Sequence, residues 1–175
     1  MNKIVFSLIM MLCMSSCVYG SDEAATDYDS ELLPAGTAAP DFRIPADGNP
    51  GGVTLSSFRG KYVVLEFWAS WCPDCRKVTG KVRDMHSRFA SDSVVFVGVS
   101  FDTNRDTWTK YVRDNGMDWL QLCELKPWKE TTVSKAYGVK WIPAFYIISP
   151  DGKILAGSVS PEKIEARLEE LHGRK

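Results

Sequence analysis

The sequence is poor in the residues from which metal centres are built. It holds two histidines in 175 residues, and beyond the first twenty positions its cysteines are Cys72, Cys75 and Cys123 alone. Neither Cys123, His86 nor His172 supplies a second C-x-x-C, C-x-x-H or H-x-x-x-H pair, so a four-ligand zinc site is disfavoured and no metal ligand set is expected. A formal net charge of −1 gives no electrostatic bias toward nucleic acid or anionic lipid. The apolar stretch Ile4 to Leu12 is too short to span a bilayer. There are no internal repeats, and the only polar spacer precedes residue 36. With 45% hydrophobic residues, the remainder suffices for one core and one domain.

What is present centres on Trp71-Cys72-Pro73-Asp74-Cys75, placed directly behind the apolar run Val63-Val64-Leu65-Glu66-Phe67-Trp68. Two cysteines separated by two residues, where a strand passes into a helix, form a dithiol that can close into a small disulfide and reopen. Half of a zinc site and a purely structural disulfide are the competing readings. The second is weak because so short a loop constrains the unfolded chain little.

Lys3, the apolar stretch and Met14-Ser15-Ser16-Cys17 together resemble a bacterial lipoprotein signal. On that reading residues 1–16 are a signal peptide, Cys17 carries the lipid, 17–35 is a polar, acidic tether and 36–175 is the folded domain. An ordinary secretory leader cut near Ser16 or Gly20 is the alternative. Either way an exported, periplasm-facing domain is expected, in a compartment where disulfides persist.

From Gly36 onward strand and helix patterns alternate. Val53 to Phe58 reads as a short strand or turn, and Tyr62 to Trp68 as a strand buried on both faces. Cys75, Val78, Val82, Met85 and Phe89 recur at helical spacing, which sets Cys72 at that helix's N-terminus. Val94 to Val99 is a second buried strand. Asp106 is the expected cap of a helix carrying Trp108 and Tyr111, and a shorter helix runs from Thr132 to Tyr137 before Gly138. Ala144 to Ile148 and Lys153 to Val159 form a hairpin, and Ser160-Pro161 opens the last helix. The order β-α-β-α-β-β-α after an N-terminal extension implies an α/β fold, a mixed sheet flanked by helices.

Strand, Trp-Cys-x-x-Cys, helix, and then Tyr137-Gly138-Val139-Lys140-Trp141-Ile142-Pro143 ahead of a hairpin resemble thioredoxin. Ala39-Pro40-Asp41-Phe42, Gly60-Lys61 and Glu66-Phe67-Trp68-Ala69-Ser70-Trp71-Cys72 narrow the resemblance to the exported TlpA/ResA-like branch, with similarity to tryparedoxins and AhpC/TSA-type redoxins. The resemblance implies a thioredoxin-like fold with an N-terminal β extension, and a thiol-disulfide oxidoreductase that reduces or exchanges disulfides in partner proteins. No cofactor is expected beyond the redox-active Cys72–Cys75 disulfide. The partners implied are protein disulfides or dithiols, an upstream thiol donor and, through the lipid, a membrane.

A cysteine at a helix N-terminus faces unpaired N–H groups and the positive end of the helix dipole, which favour thiolate; Cys72 is therefore the expected nucleophile and Cys75 its resolving partner. Glu66 matches the buried acid of thioredoxins, which manages the proton of the second cysteine. A strand-edge glutamate reaching water is the alternative. Ile142-Pro143 matches the family's cis-proline, which lies against the active disulfide, so Ile142 and Pro143 join Trp71, Pro73 and Asp74 as the expected substrate-binding surface. Trp71 and Trp141 are either docking residues or core.

Some residues depart from the pattern. Pro73-Asp74 replaces thioredoxin's Gly-Pro and sets an acid beside the thiolate; Gly98 stands where thioredoxins pair a lysine with the buried acid; Val78 occupies a glutamate position of ResA-like proteins. Cys123 reads as a small buried hydrophobe, and His86 and His172 as solvated residues. A peroxiredoxin-type peroxidase would need a proline and a hydroxyl where Leu65 and Ala69 stand. A Sco-like copper module would need C-x-x-x-C and a distant histidine.

Overall fold

In the computed structural model, which describes residues 27–46 and 49–173, the run Tyr62–Trp68 forms strand β3, with all but its first residue buried. An uninterrupted apolar run has no solvent face to offer, so it takes the centre of the sheet. It follows β1 (Arg43–Ala46) and β2 (Asn49–Thr54), an antiparallel pair forming the N-terminal β extension. Beyond it come α1 (Pro73–Phe89), β4 (Val94–Ser100), α2 (Arg105–Asp114), β5 (Leu120–Cys123), α3 (Thr132–Ala136), β6 (Ala144–Ile148), β7 (Ile154–Ser158) and α4 (Pro161–His172). The main sheet has the order β5-β4-β3-β6-β7. β3, β4 and β5 run parallel, while β6 and β7 are antiparallel to their neighbours. This is the mixed, helix-flanked sheet expected.

Strand β5 is the element that the sequence pattern leaves out. Its four residues alternate too briefly to register as a strand, and parallel pairing with β4 over Val97↔Leu120 to Ser100↔Cys123 holds it in place. Helix α2 is capped by Asn104 rather than Asp106: the Asn104 Oδ1 accepts the Thr107 N–H at 2.9 Å. Ser160 likewise bonds the Glu162 carboxylate and makes no side-chain cap to the backbone. On α1 the core stripe is Cys75, Thr79, Val82, Met85 and Phe89, with Val78 only half-buried. Thr79 is admitted to the core because its hydroxyl donates to the Cys75 carbonyl at 3.0 Å and lies 3.0 Å from the Tyr111 hydroxyl. His86 is half-buried against Phe96 and Trp119, not solvated; His172 is exposed as expected.

Residues 27–35, expected to belong to the tether, are folded against the domain. A short 3-10 turn at Tyr28–Glu31 brings the Asp29 carboxylate to the Ser158 hydroxyl, the Val159 N–H and the Lys163 ammonium. The Leu33 N–H donates to the Tyr146 hydroxyl at 3.1 Å, and Glu31 pairs with Lys140 at 2.7 Å. Polar composition suggested a free linker, whereas these polar groups are spent on specific long-range bonds. Cys17 and the signal segment lie outside the described residues.

Candidate active site

Strand β3 delivers the chain to one end of the sheet at Trp68, and the loop Ala69-Ser70-Trp71 turns it into α1. Cys72 is the N-cap residue of α1, in extended conformation, and Pro73 takes the first helical position, where a missing N–H costs nothing. The Cys75 N–H donates to the Cys72 sulfur at 3.2 Å, and the Cys75 thiol donates to the same sulfur at 2.6 Å. The two thiols are close but not bonded. On the other side the Cys72 thiol faces the Ile142 carbonyl at 3.5 Å. The Ile142–Pro143 bond is cis.

The two cysteines occupy different settings. Cys72 is 5% exposed and Cys75 1%. Burial pushes the Cys75 thiol well above the usual thiol range; its hydrogen bond to Cys72 and the nearby charges of Cys72 and Glu66 push the same way. Glu66, on the central strand, lies close enough to Cys75 for a charge on its carboxylate to act on that thiol. The Glu66 side chain is 3% exposed, so it does not reach water as the strand-edge alternative required. Burial raises its carboxyl to about 8, and its Oε2 has no hydrogen-bond partner in the protein. Near pH 7 such a group is mostly protonated, and it can give or take a proton without large cost.

Asp74 is exposed, and its carboxylate is paired with the Lys77 ammonium at 2.8 Å, one turn along the same face. The acid between the cysteines is thus partly neutralised by a neighbour that the motif alone does not display. Around Cys72 the surface is aromatic. Trp71 is 54% and Trp141 47% exposed, the large hydrophobic side chains left open among the described residues. Trp71 packs against Trp128, and Trp141 meets Tyr28 of the N-terminal segment edge-on at 4.6 Å. An open groove lined by Tyr28, Asp74, Val78, Trp141, Pro143 and Val159 runs beside the dithiol. The fold therefore gathers Trp71, Cys72, Pro73, Asp74, Cys75, Ile142 and Pro143 at one end of the sheet, with Glu66 beneath them.

Two contributors escape the sequence reading. The carboxylate of Asp102, buried just beyond β4, accepts the Ser70 N–H at 2.9 Å, the Ser70 hydroxyl at 2.6 Å and the Ser100 hydroxyl at 2.6 Å. It clamps the loop that presents Cys72 to the neighbouring strand. No local motif announces this, since Ser70 and Asp102 are 32 positions apart. Cys123 is buried, and its thiol donates to the Asp102 carbonyl at 3.1 Å, so it packs behind this clamp. The other is Gln121, whose carboxamide oxygen accepts the Trp68 indole N–H at 3.1 Å. Among the described residues no three His, Cys, Asp or Glu side chains converge as metal ligands would.

Comparison with known proteins places this geometry in context. The AhpC/TSA family model matches residues 35–156. The thiol-disulfide oxidoreductase ResA of Oceanobacillus iheyensis is 29% identical over 178 residues, spanning 97% of this chain and 90% of that protein. ResA of Bacillus subtilis is 26% identical, over 85% of this chain and 78% of its own length. Among solved structures, the thioredoxin domain of a thiol-disulfide oxidoreductase from Bacteroides vulgatus superposes with a TM-score of 0.70 at 28% identity, covering 79% of this chain and 98% of that one. A thiol:disulfide interchange protein from a Bacteroides species gives 0.69 at 29% identity, over 79% and 90% of the two chains.

Proposed function

The chain belongs to the AhpC/TSA family, as a TlpA/ResA-like thiol-disulfide oxidoreductase of the thioredoxin superfamily, and from that footing we propose that it reduces or exchanges disulfides in partner proteins through Cys72 and Cys75. The observation that carries this reading is the pair of sulfurs 2.6 Å apart, one at a helix N-terminus and one buried over Glu66.

The Cys72 thiolate attacks one sulfur of a partner disulfide. A new S–S bond forms, the partner's own S–S bond breaks, and one partner sulfur leaves as thiolate. The Cys75 proton passes to the Glu66 carboxylate, and the freed Cys75 sulfur attacks Cys72. The mixed disulfide breaks, the second partner thiolate leaves, and two electrons have moved from the dithiol to the partner. An upstream thiol donor then reduces the Cys72–Cys75 disulfide. Exchange in the opposite direction uses the same bonds.

Trp71, Trp141 and Pro143 supply the contact surface, and the Ile142 backbone offers an edge to an extended peptide beside Cys72. The domain works outside the cytoplasm, held to the periplasmic face of a membrane by lipid on Cys17. The short apolar leader ending in Ser15-Ser16-Cys17 supports that assignment. Labelled palmitate should enter the wild-type protein in cells and not Cys17→Ala; equal labelling would remove the anchor from the account.

The central test is trapping. Cys75→Ser should accumulate disulfide-linked partners on Cys72 that disappear under reductant, and Cys72→Ser should lose insulin reduction. Retained insulin reduction in Cys72→Ser refutes the assignment.

A further inference from the structure

Glu66, Gly98 and Gln121 lie in one row across three strands: Glu66 pairs with Gly98 between β3 and β4, and Gly98 with Gln121 between β4 and β5. Residues in register across parallel strands point to the same face, so Glu66 and Gln121 both rise from that face with their Cα atoms about 10 Å apart. Nothing stands between them on β4, because Gly98 has no side chain. The Gln121 carboxamide leans into that space: a Cβ on Gly98 would fall 2.2 Å from Gln121 Oε1 and 3.0 Å from Nε2.

The hydrogen bonding of the row is incomplete in a matched way. Among the described residues, buried side-chain polar atoms without a protein partner include the acceptor Glu66 Oε2 and the donor Gln121 Nε2. Gln121 Oε1 is committed to the Trp68 indole, which fixes the carboxamide so that its N–H groups turn away from Trp68. A buried donor and a buried acceptor left open in one row are each costly alone and relieve each other when joined.

We propose that Gln121 is the positioning residue of Glu66, its Nε2 donating across Gly98 to the Glu66 carboxylate, directly or through one water, whenever Glu66 holds the proton-accepting form. A neutral amide lends the charged carboxylate a hydrogen bond without the full charge of a cation. Glu66 thus keeps a carboxylate form within reach near neutral pH, and in that form it accepts the proton from Cys75. Other titratable groups facing Glu66 come from the helices: Cys75 on α1 with Cys72 beyond it, and Tyr111 on α2, which packs on Trp68 and bonds Thr79. The adjoining strands present Gly98, Gln121 and Phe145, none of them ionisable. The inference rests on Glu66 being the acid that exchanges the Cys75 proton.

The test is the titration of the Glu66 carboxyl in the full chain, followed by infrared difference against Glu66→Gln. It is done in the oxidised protein, where Cys72 and Cys75 cannot titrate. Removing a donor from a carboxylate raises its midpoint, so Gln121→Leu should move it up by about one pH unit, a tenfold change in acid constant. Gly98→Ala keeps the amide but pushes it aside, and should move the midpoint the same way; it decides the matter should Gln121→Leu fail to fold. Trp68→Phe, which spares the Nε2 donor and loosens only its orientation, should raise the midpoint by clearly less than Gln121→Leu does. A midpoint unmoved in Gln121→Leu overturns the proposal, as does an equal rise in Trp68→Phe. Unchanged release of trapped partner in Glu66→Gln would instead refute the role of Glu66 itself, whatever the midpoints.

Discussion

The two halves of this active site are satisfied in opposite ways. At the end of the sheet, the Cys72 sulfur receives the Cys75 N–H and faces the Ile142 carbonyl, and open tryptophans lie around it. Beneath it, Glu66 is buried and Gln121 half-buried, and each keeps a buried polar atom, Glu66 Oε2 and Gln121 Nε2, without a protein partner. The upper half is a contact surface, where exposure is needed and solvent repairs any missing bond. The lower half is a proton store, where exclusion of water holds the carboxyl near 8 and so makes it responsive. Reactivity in this molecule is divided between a group that must be reached and a group that must not.

The comparison is broken most severely at the sulfur. Cys72→Ser should lower disulfide-reduction turnover by about three orders of magnitude or more, since among the described residues no other thiol lies at a helix N-terminus to replace it. Thermal stability should barely move, because the replacement keeps a side-chain acceptor for the Cys75 N–H. A large loss of folding would mean that the upper half is structural too.

Glu66→Gln removes the proton store and leaves the sulfurs in place. Resolution of the mixed disulfide should slow by about a hundredfold, in the usual range for a lost acid-base group. Stability gives an independent reading with a definite sign. The folded carboxyl is raised above its ordinary 4.5 to about 8, so the folded state binds more protons than the unfolded state between those values. Wild-type stability should therefore fall as pH rises through that window, and the fall should be absent in Glu66→Gln. Urea denaturation at pH 5 and pH 9 should show the unfolding free energy falling by on the order of 4 kcal/mol more in the wild type than in Glu66→Gln. Parallel pH profiles would place Glu66 in contact with water.

Asp102→Ala probes the joint between the halves. It leaves the Ser70 N–H and two buried hydroxyls without their acceptor, which should cost about 2–4 kcal/mol of stability. Turnover per folded molecule should fall as well, because the Cys72 loop loses its tie to β4. Lost stability with unchanged turnover would show that α1 alone fixes the loop.

Much of this was legible from local signals. An unbroken apolar strand, a period of three and four after Cys75, Gly138 with its positive φ behind α3, and Pro161 at the start of α4 each act within a few residues, and each stands where the pattern sets it. What sequence reasoning missed acts at a distance. Strand β5 exists because β4 pairs with it; Asp102 reaches back to Ser70; Asp29 crosses 129 positions to Ser158. The site divides along the same line. The dithiol and the acid stand in one stretch of chain and could be read there. Gln121 becomes visible only when register lays it beside Gly98, and Lys77 beside Asp74 only once the helix is built.

The contact surface is tested by Trp71→Ala. The indole is more than half exposed, so its removal should leave folding nearly untouched while weakening capture of a protein disulfide by about tenfold in KM, as loss of an aromatic anchor does at an interface. kcat should hold, because Trp71 makes no hydrogen bond to either sulfur among those of the dithiol. A small disulfide too short to reach the indole should be reduced by both forms at the same rate. That contrast separates docking from shielding: if Trp71 chiefly protected the dithiol, the small disulfide would react faster in Trp71→Ala, and the outer half of the site would be a cover rather than a contact.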